Sequence, residues 1–118
     1  MGMLVVAGQA TVGIVYILGA ITDTVDRSTL SKMLQDKRIP YTQYLLPGAI
    51  SLKFLGGLAL VFSMFVPLAA FLLAGFTLIA NVIFHPFWSA APADRKKEYF
   101  AFMVHMAVIG GLCVIAGR

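Results

Sequence analysis

Long apolar stretches separated by two short polar segments form the main pattern along this chain. The uncharged run over residues 54–93 is forty residues long, and two membrane crossings of ~20 residues each would account for it. Pro67 marks the place where such a run would turn back. With two further apolar stretches, the pattern predicts spans at about residues 3–22, 45–65, 68–84 and 99–116. The predicted fold class is therefore an all-α integral membrane four-helix bundle, forming a single domain over residues 1–118.

The first polar segment predicts a short amphipathic helix between the first two spans. Leu30, Met33 and Leu34 recur at helical spacing, while charged and amide side chains occupy other positions around the helix. This arrangement is typical of a helix that lies on the membrane surface. Asp26 or Ser28 is expected to cap its first turn.

Composition and the placement of charge restrict the class of protein. Apolar residues make up 60% of the chain and charged residues 12%, with a mean hydropathy of +0.91, which is unlike an ordinary soluble domain. Seven of the nine Lys and Arg residues lie within residues 27–38 and in an expected loop at residues 89–98. Basic blocks beside spans mark the cytoplasmic side and anionic lipid head groups rather than nucleic acid. We therefore expect a multi-pass protein with both termini outside the cytoplasm and no nucleic-acid partner.

Each predicted span carries one polar side chain at a similar depth below the predicted cytoplasmic surface. These residues are Tyr16, Lys53, Asn81 and His105. Because lipid offers no hydrogen-bond partner, polar groups in hydrocarbon face the bundle interior, and the pattern predicts a shared polar cluster. The cluster either binds an amphipathic small molecule such as a quinone head group, or carries protons, or only fixes how the helices pack. Lys53 either pairs with Asp23 or Asp26 or has a functional role.

His85 and Trp88, at the end of the third span, are secondary candidates. Two histidines permit haem ligation in principle, but His85 is expected at the interface and His105 deeper, so haem is disfavoured. No metal-ligand pattern and no Ser-His-Asp arrangement occurs inside the spans, and the one cysteine excludes an intramolecular disulfide. We expect no bound metal and no resident cofactor. A quinone stays a candidate ligand. Gln9 is expected to bond a neighbouring helix rather than a ligand.

Four short motifs in register resemble the DoxX family of small membrane proteins. They are Lys-Arg-Ile-Pro at residues 37–40, Leu-Gly-Gly-Leu at 55–58, Phe-His-Pro-Phe-Trp at 84–88 and Ile-Gly-Gly-Leu at 109–112. The resemblance covers the chain from about Thr22 onward. It implies a four-helix bundle in the bacterial inner membrane. Members of that family are linked to oxidoreductase systems, including a thiosulfate:quinone oxidoreductase subunit and complexes that handle thiols and oxidative stress, while relatives of similar build act as assembly chaperones.

The chain departs from the common pattern of that family mainly at charged positions. Members commonly carry an Arg early in the first span, a Lys near its end and a Glu before the Gly-Gly of the second. Gln9, Asp23 and Lys53 stand near those places. Members also often have Gly where Arg38 stands and Asn where His105 stands. Acid and base are thus partly exchanged between the first two spans, and a pairing preserved between the exchanged partners is a hypothesis.

Three hypotheses of function follow. The leading one is a small, non-catalytic accessory subunit of a membrane redox complex. The first alternative is a quinone-binding oxidoreductase subunit, with the head group among the four polar residues of the spans. The second alternative is an assembly chaperone or scaffold without a ligand of its own. The expected partners are the lipid bilayer and either a larger membrane complex or further copies of the chain.

Overall fold

The computed structural model describes residues 2–117, and over that range it contains helices and no strands. The helices are α1 (Gly2–Val25), α2 (Arg27–Asp36), α3 (Thr42–Val61), α4 (Val66–Phe84) and α5 (Pro92–Ala116), with a 3-10 turn at Phe87–Ser89. All but α2 are long and apolar enough to cross a membrane. The predicted all-α membrane fold is confirmed.

The chain divides into two compact units, Met1–Phe65 and Val66–Arg118. In the first unit α1 packs along α3, with α2 against α3, and in the second α4 packs along α5. Each unit is therefore built on one pair of long apolar helices. The single domain expected over residues 1–118 stays a prediction.

The turn between α3 and α4 begins earlier than predicted. The second span was expected to reach residue 65, but α3 ends at Val61. Ser63 adopts a left-handed conformation with φ of 55°, and the N–H of Met64 donates to the carbonyl of Ala59 at 2.8 Å. These are the features of a Schellman helix terminus, which satisfies the last carbonyls of the helix. Pro67 then lies in the first turn of α4, where no N–H is needed.

The prediction of a loop at residues 89–98 is wrong over most of that range. α5 begins at Pro92, well before the predicted start of the fourth span at Tyr99. Proline is favoured in the first turn of a helix, and Asp94 complements the positive end of the helix dipole there. The basic residues 95–97 therefore belong to the first turns of α5, and Glu98 follows them on the same helix.

The amphipathic helix of the first polar segment is confirmed as α2, with Leu34 buried. The predicted side-chain cap is wrong: Asp26 occupies the N-cap position without a capping bond. The N–H of Asp26 donates to the Thr22 carbonyl and the N–H of Leu30 to the Asp26 carbonyl. Asp26 therefore takes part in backbone hydrogen bonds with both α1 and α2. Arg38 follows α2 with φ of 60°, a conformation that favours glycine.

α1 and α3 meet backbone to backbone at Gly13 and Gly57. A Cβ atom built on Gly57 would lie 2.6 Å from the carbonyl oxygen of Gly13, and one on Gly13 would lie 2.6 Å from the carbonyl oxygen of Gly57. Small residues at membrane helix interfaces allow this close approach. Glycine is therefore required on both helices at this crossing.

α4 and α5 pack through side chains instead. Ala70, Leu73 and Leu112 have no exposed surface. A Cβ on Gly111 would meet nothing within 4 Å, so α5 makes no close helix contact at that glycine. The second pair holds together by burying alkyl groups, with its glycines open.

Candidate functional site

Lys53 of α3 pairs with Asp23 of α1. Its Nζ lies 2.7 Å from Oδ2 of Asp23, and the two side chains are 16% and 27% exposed. Gly19 makes room for the lysine, since a Cβ there would lie 3.0 Å from Nζ. An ammonium inside a span is costly unless it is paired. Of the alternatives left open for Lys53, the structure shows the pairing, with Asp23 as the partner.

Gln9 joins the opposite end of the same helix pair. Its Nε2 donates to the carbonyl of Leu60 at 2.8 Å and to Oγ of Ser63 at 3.0 Å. The Leu60 carbonyl lies in the last turn of α3, where carbonyls lack partners within the helix. The prediction that Gln9 bonds a neighbouring helix is confirmed. Tyr16, also on α1, is buried.

Asn81 links α4 to α5 and is 1% exposed. Its Nδ2 lies 3.1 Å from the carbonyl oxygen of Phe102. Because that oxygen only accepts hydrogen bonds, the amide nitrogen must be the donor, and the orientation of the amide is fixed. Oδ1 of Asn81 is then left with no partner, alone among the buried side-chain nitrogen and oxygen atoms of residues 2–117. A buried, unpaired carbonyl destabilises a fold by about 1–3 kcal/mol.

Two histidines stack one turn beyond Asn81. The rings of His85 and His105 have centroids 5.1 Å apart and an interplanar angle of 22°. Nδ1 of His85 lies 2.9 Å from Oε2 of Glu98, and Nδ1 of His105 lies 2.7 Å from the carbonyl of Ala101. The expectation that His85 and His105 lie at different depths is wrong, because α5 starts early and runs back past the end of α4.

Aromatic side chains surround this end of the pair. The ring of Phe87 makes edge-on contacts with the rings of Trp88, Tyr99 and Phe102, at centroid distances of 5.2, 5.1 and 5.2 Å. Trp88 also contacts Phe102 at 5.7 Å. The carbonyl of that same Phe102 accepts the Asn81 bond, so the tryptophan lies close to the polar residues.

The sequence model of the DoxX family matches residues 4–86. The chain belongs to the DoxX family. No curated protein and no solved structure matches it. The match begins earlier than the resemblance predicted and ends before α5. Asn81 and His85 of this DoxX-family protein thus lie inside the matched region, while Glu98 and His105 lie outside it. With four helices able to span a bilayer, this DoxX-family chain is a multi-pass membrane protein.

The second unit of this DoxX-family protein brings three of the predicted residues together as an amide–histidine cluster: Asn81, His85 and His105. The ring of Trp88 contacts the ring of Phe102, and the carbonyl of Phe102 accepts the Asn81 bond. Tyr16 and Lys53 belong to the first unit, and a cluster shared by all four predicted residues stays a prediction.

Sequence reasoning missed Glu98, the carboxylate that bonds His85. The available signal is its spacing from His105, since residues seven apart lie on one face of a helix. That signal is visible only once Pro92 is read as the start of α5 instead of part of a loop.

The chemistry open to the amide–histidine cluster is hydrogen bonding and ring stacking. Within residues 2–117, no three His, Cys, Asp or Glu side chains are grouped so as to hold a metal ion. The two imidazoles present their faces to each other, and each Nδ1 is already bonded. The groups that remain are the amide oxygen of Asn81 and the outer edges of the two rings.

Proposed function

We propose that this DoxX-family protein is a small accessory subunit of a membrane redox complex, and that its second helix pair binds the head group of a quinone. The observation that carries the proposal is the buried oxygen of Asn81 without a partner, beside two stacked imidazoles. Native proteins pair nearly all buried polar atoms, and an exception asks for an explanation. A hydroxyl of the reduced head group, a quinol, can donate to this oxygen and supplies one.

The surroundings of the cluster suit a flat ring with an apolar tail. The aromatic side chains of Phe87, Trp88 and Tyr99 offer apolar rings beside the two stacked imidazoles. Binding sites for such molecules are mostly apolar with a few well-placed polar groups. A membrane-soluble molecule reaches them through the lipid that surrounds the helices.

The charge of the second unit favours a neutral ligand. Residues 66–93 and 99–116 contain no Asp, Glu, Lys or Arg, and His85 already has Glu98 as its partner. Lys53, the formal charge in the first pair, is neutralised by Asp23. A charged ligand would lack a counter-charge here, whereas a quinone needs none.

The basic residues support an orientation as well. Those of residues 27–38 flank α1 and α3, and those of residues 95–97 lie in the first turns of α5. The positive-inside rule favours both segments in the cytoplasm and both termini in the periplasm of a bacterial inner membrane. Labelling of tags at the two ends in intact cells tests this part of the proposal: two externally accessible tags support it, and a protected tag contradicts it.

Binding is testable through Trp88, the one tryptophan of the chain. Purified full-length protein in mild detergent is titrated with decylubiquinone under anaerobic conditions, and Trp88 fluorescence and the melting temperature are followed. We expect saturable quenching of Trp88 and a melting temperature that rises with ligand concentration, because a ligand of the native state stabilises it by mass action. Decylubiquinol is tested by melting temperature alone.

Two variants locate the site. Asn81→Leu combined with His105→Phe keeps the volume and the stacked ring but removes two acceptors, and we expect it to lose the rise in melting temperature with decylubiquinol. Gln9→Leu changes a polar residue of the first pair, and we expect it to keep both responses relative to its own ligand-free state. If neither quinone nor quinol stabilises the wild type, the proposal falls, and co-purification of a larger partner would then favour the scaffold hypothesis.

A further inference from the structure

Two atoms of the amide–histidine cluster, Oδ1 of Asn81 and Nε2 of a neutral His105, are hydrogen-bond acceptors. Resting on the quinone site proposed above, we propose that the cluster selects the reduced, hydroxyl-bearing quinol over the oxidised quinone. Asn81 and His105 each use a nitrogen in a bond to a backbone carbonyl of α5.

Asn81 offers an acceptor that has no partner in the fold. Its Nδ2 is bonded to the carbonyl of Phe102 at 3.1 Å, and its Oδ1 is buried and unpartnered. An amide oxygen carries lone pairs and no hydrogen. Only a ligand that brings its own O–H or N–H group satisfies this atom.

His105 offers the same chemistry. The 2.7 Å contact of its Nδ1 is with the backbone carbonyl of Ala101, which only accepts, so Nδ1 must carry the hydrogen. In a neutral imidazole the other nitrogen, Nε2, is then an acceptor. His105 stacks on His85, which lies one turn after Asn81 on α4. The two acceptor residues are therefore neighbours across the helix pair.

His85 does not decide the preference. Its Nδ1 bonds the carboxyl group of Glu98 at 2.9 Å, and the proton shared in that pair sets whether the outer nitrogen donates or accepts. The preference comes from Oδ1 of Asn81, with Nε2 of a neutral His105 beside it.

The two redox forms of the ligand differ in whether their oxygens can donate a hydrogen bond. Quinone oxygens are carbonyls that only accept, and against Oδ1 of Asn81 they leave both oxygens unsatisfied. Quinol hydroxyls donate. Sites that match a hydroxyl discriminate strongly against the analogue without one, because the polar group of the site is otherwise left unpaired.

The test compares the two forms on the same protein. A fixed concentration of decylubiquinone is bound to the wild type, decylubiquinol is added anaerobically, and recovery of Trp88 fluorescence gives the ratio of the two affinities. We expect the quinol to bind at least about tenfold more tightly, the effect of roughly one recovered buried hydrogen bond. Such a preference raises the midpoint potential of the bound two-electron couple by about 30 mV.

Variants separate this inference from the function on which it rests. We expect Asn81→Leu to lose most of the preference, and His105→Phe, which keeps a ring against His85, to lose part of it. Equal affinities in the wild type, or tighter quinone binding, overturn the inference and leave the proposed function standing. A preference unchanged in both variants also overturns it. Failure of both ligands to bind overturns the function itself.

Discussion

The polar side chains of the two helix pairs in this DoxX-family protein differ in how fully they are hydrogen-bonded. In the α1–α3 pair, Gln9 and Lys53 each bond a group on the facing helix or in the turn that follows it. In the α4–α5 pair, Asn81 uses its nitrogen and leaves its oxygen unpaired. Within residues 2–117, the one buried side-chain nitrogen or oxygen atom without a hydrogen-bond partner lies in the second pair.

This difference separates structural polarity from polarity that is available for binding. A polar group inside a membrane protein is stable when its partner is built into the fold, as Asp23 is for Lys53. Such a group fixes the packing of two helices through a bond that is already made within the fold. The oxygen of Asn81 has its bonding capacity intact, which is why we assign the ligand to the second pair.

The largest expected effect tests how the pairs are packed. Gly57→Ala places a Cβ 2.6 Å from the carbonyl oxygen of Gly13, and backbone on both sides leaves little freedom to relax. We expect the free energy of unfolding to fall by about 3 kcal/mol, the upper part of the usual range for overpacking. Unfolding by SDS titration in mixed micelles measures this.

Gly111→Ala is the matched control in the second pair, because its Cβ would meet nothing within 4 Å. We expect its free energy of unfolding to change by less than about 0.5 kcal/mol, as for open surface positions. Equal losses at Gly57 and Gly111 would contradict the distinction between a glycine-packed first pair and an open second pair.

The next effect concerns the ion pair. Lys53→Leu leaves the Asp23 carboxylate partly buried without a counter-charge. We expect a loss of about 2 kcal/mol, between the values for exposed and fully buried pairs. Combined with Asp23→Asn, the same substitution should cost much less, giving a coupling of about 1–2 kcal/mol in a double-mutant cycle. Additive losses would show that the pair does not hold α1 to α3.

Ligand response separates structure from function in the same variants. We expect Lys53→Leu to bind decylubiquinone as the wild type does, measured against its own ligand-free melting temperature. A lost response would return Lys53 to the list of ligand-binding residues and weaken the assignment of the ligand to the second pair.

The sequence predicts the four spans because it takes only length and the absence of charge to recognise them. It also predicts that Gln9 bonds a helix, and it gives pairing with an acid as one of two alternatives for Lys53, since hydrocarbon leaves a polar side chain few partners. These predictions need no knowledge of which side chains meet. They rest on what a membrane excludes.

The arrangement around Asn81 was not predictable in the same way. Charged residues at 94–98 suggest a loop by composition, yet Pro92 starts a helix that carries them. That shift of the helix start aligns Glu98 with His85 and stacks His85 on His105. Which atom of the Asn81 amide is left without a hydrogen bond depends on the Phe102 carbonyl of the facing helix. The residue types in the sequence do not show this.

The smallest effect compares one kind of substitution in both pairs. Gln9→Leu removes hydrogen bonds to Leu60 and Ser63, and we expect a loss of about 1 kcal/mol, typical of bonds between membrane helices. Asn81→Leu removes one such bond but also removes the unpaired buried oxygen, whose burial is worth a similar amount or more in the opposite direction. We therefore expect the stability of Asn81→Leu without ligand to equal or exceed that of the wild type, in the same SDS titration. A clear loss would mean that Oδ1 already has a stabilising partner, and the oxygen would no longer be available to a ligand.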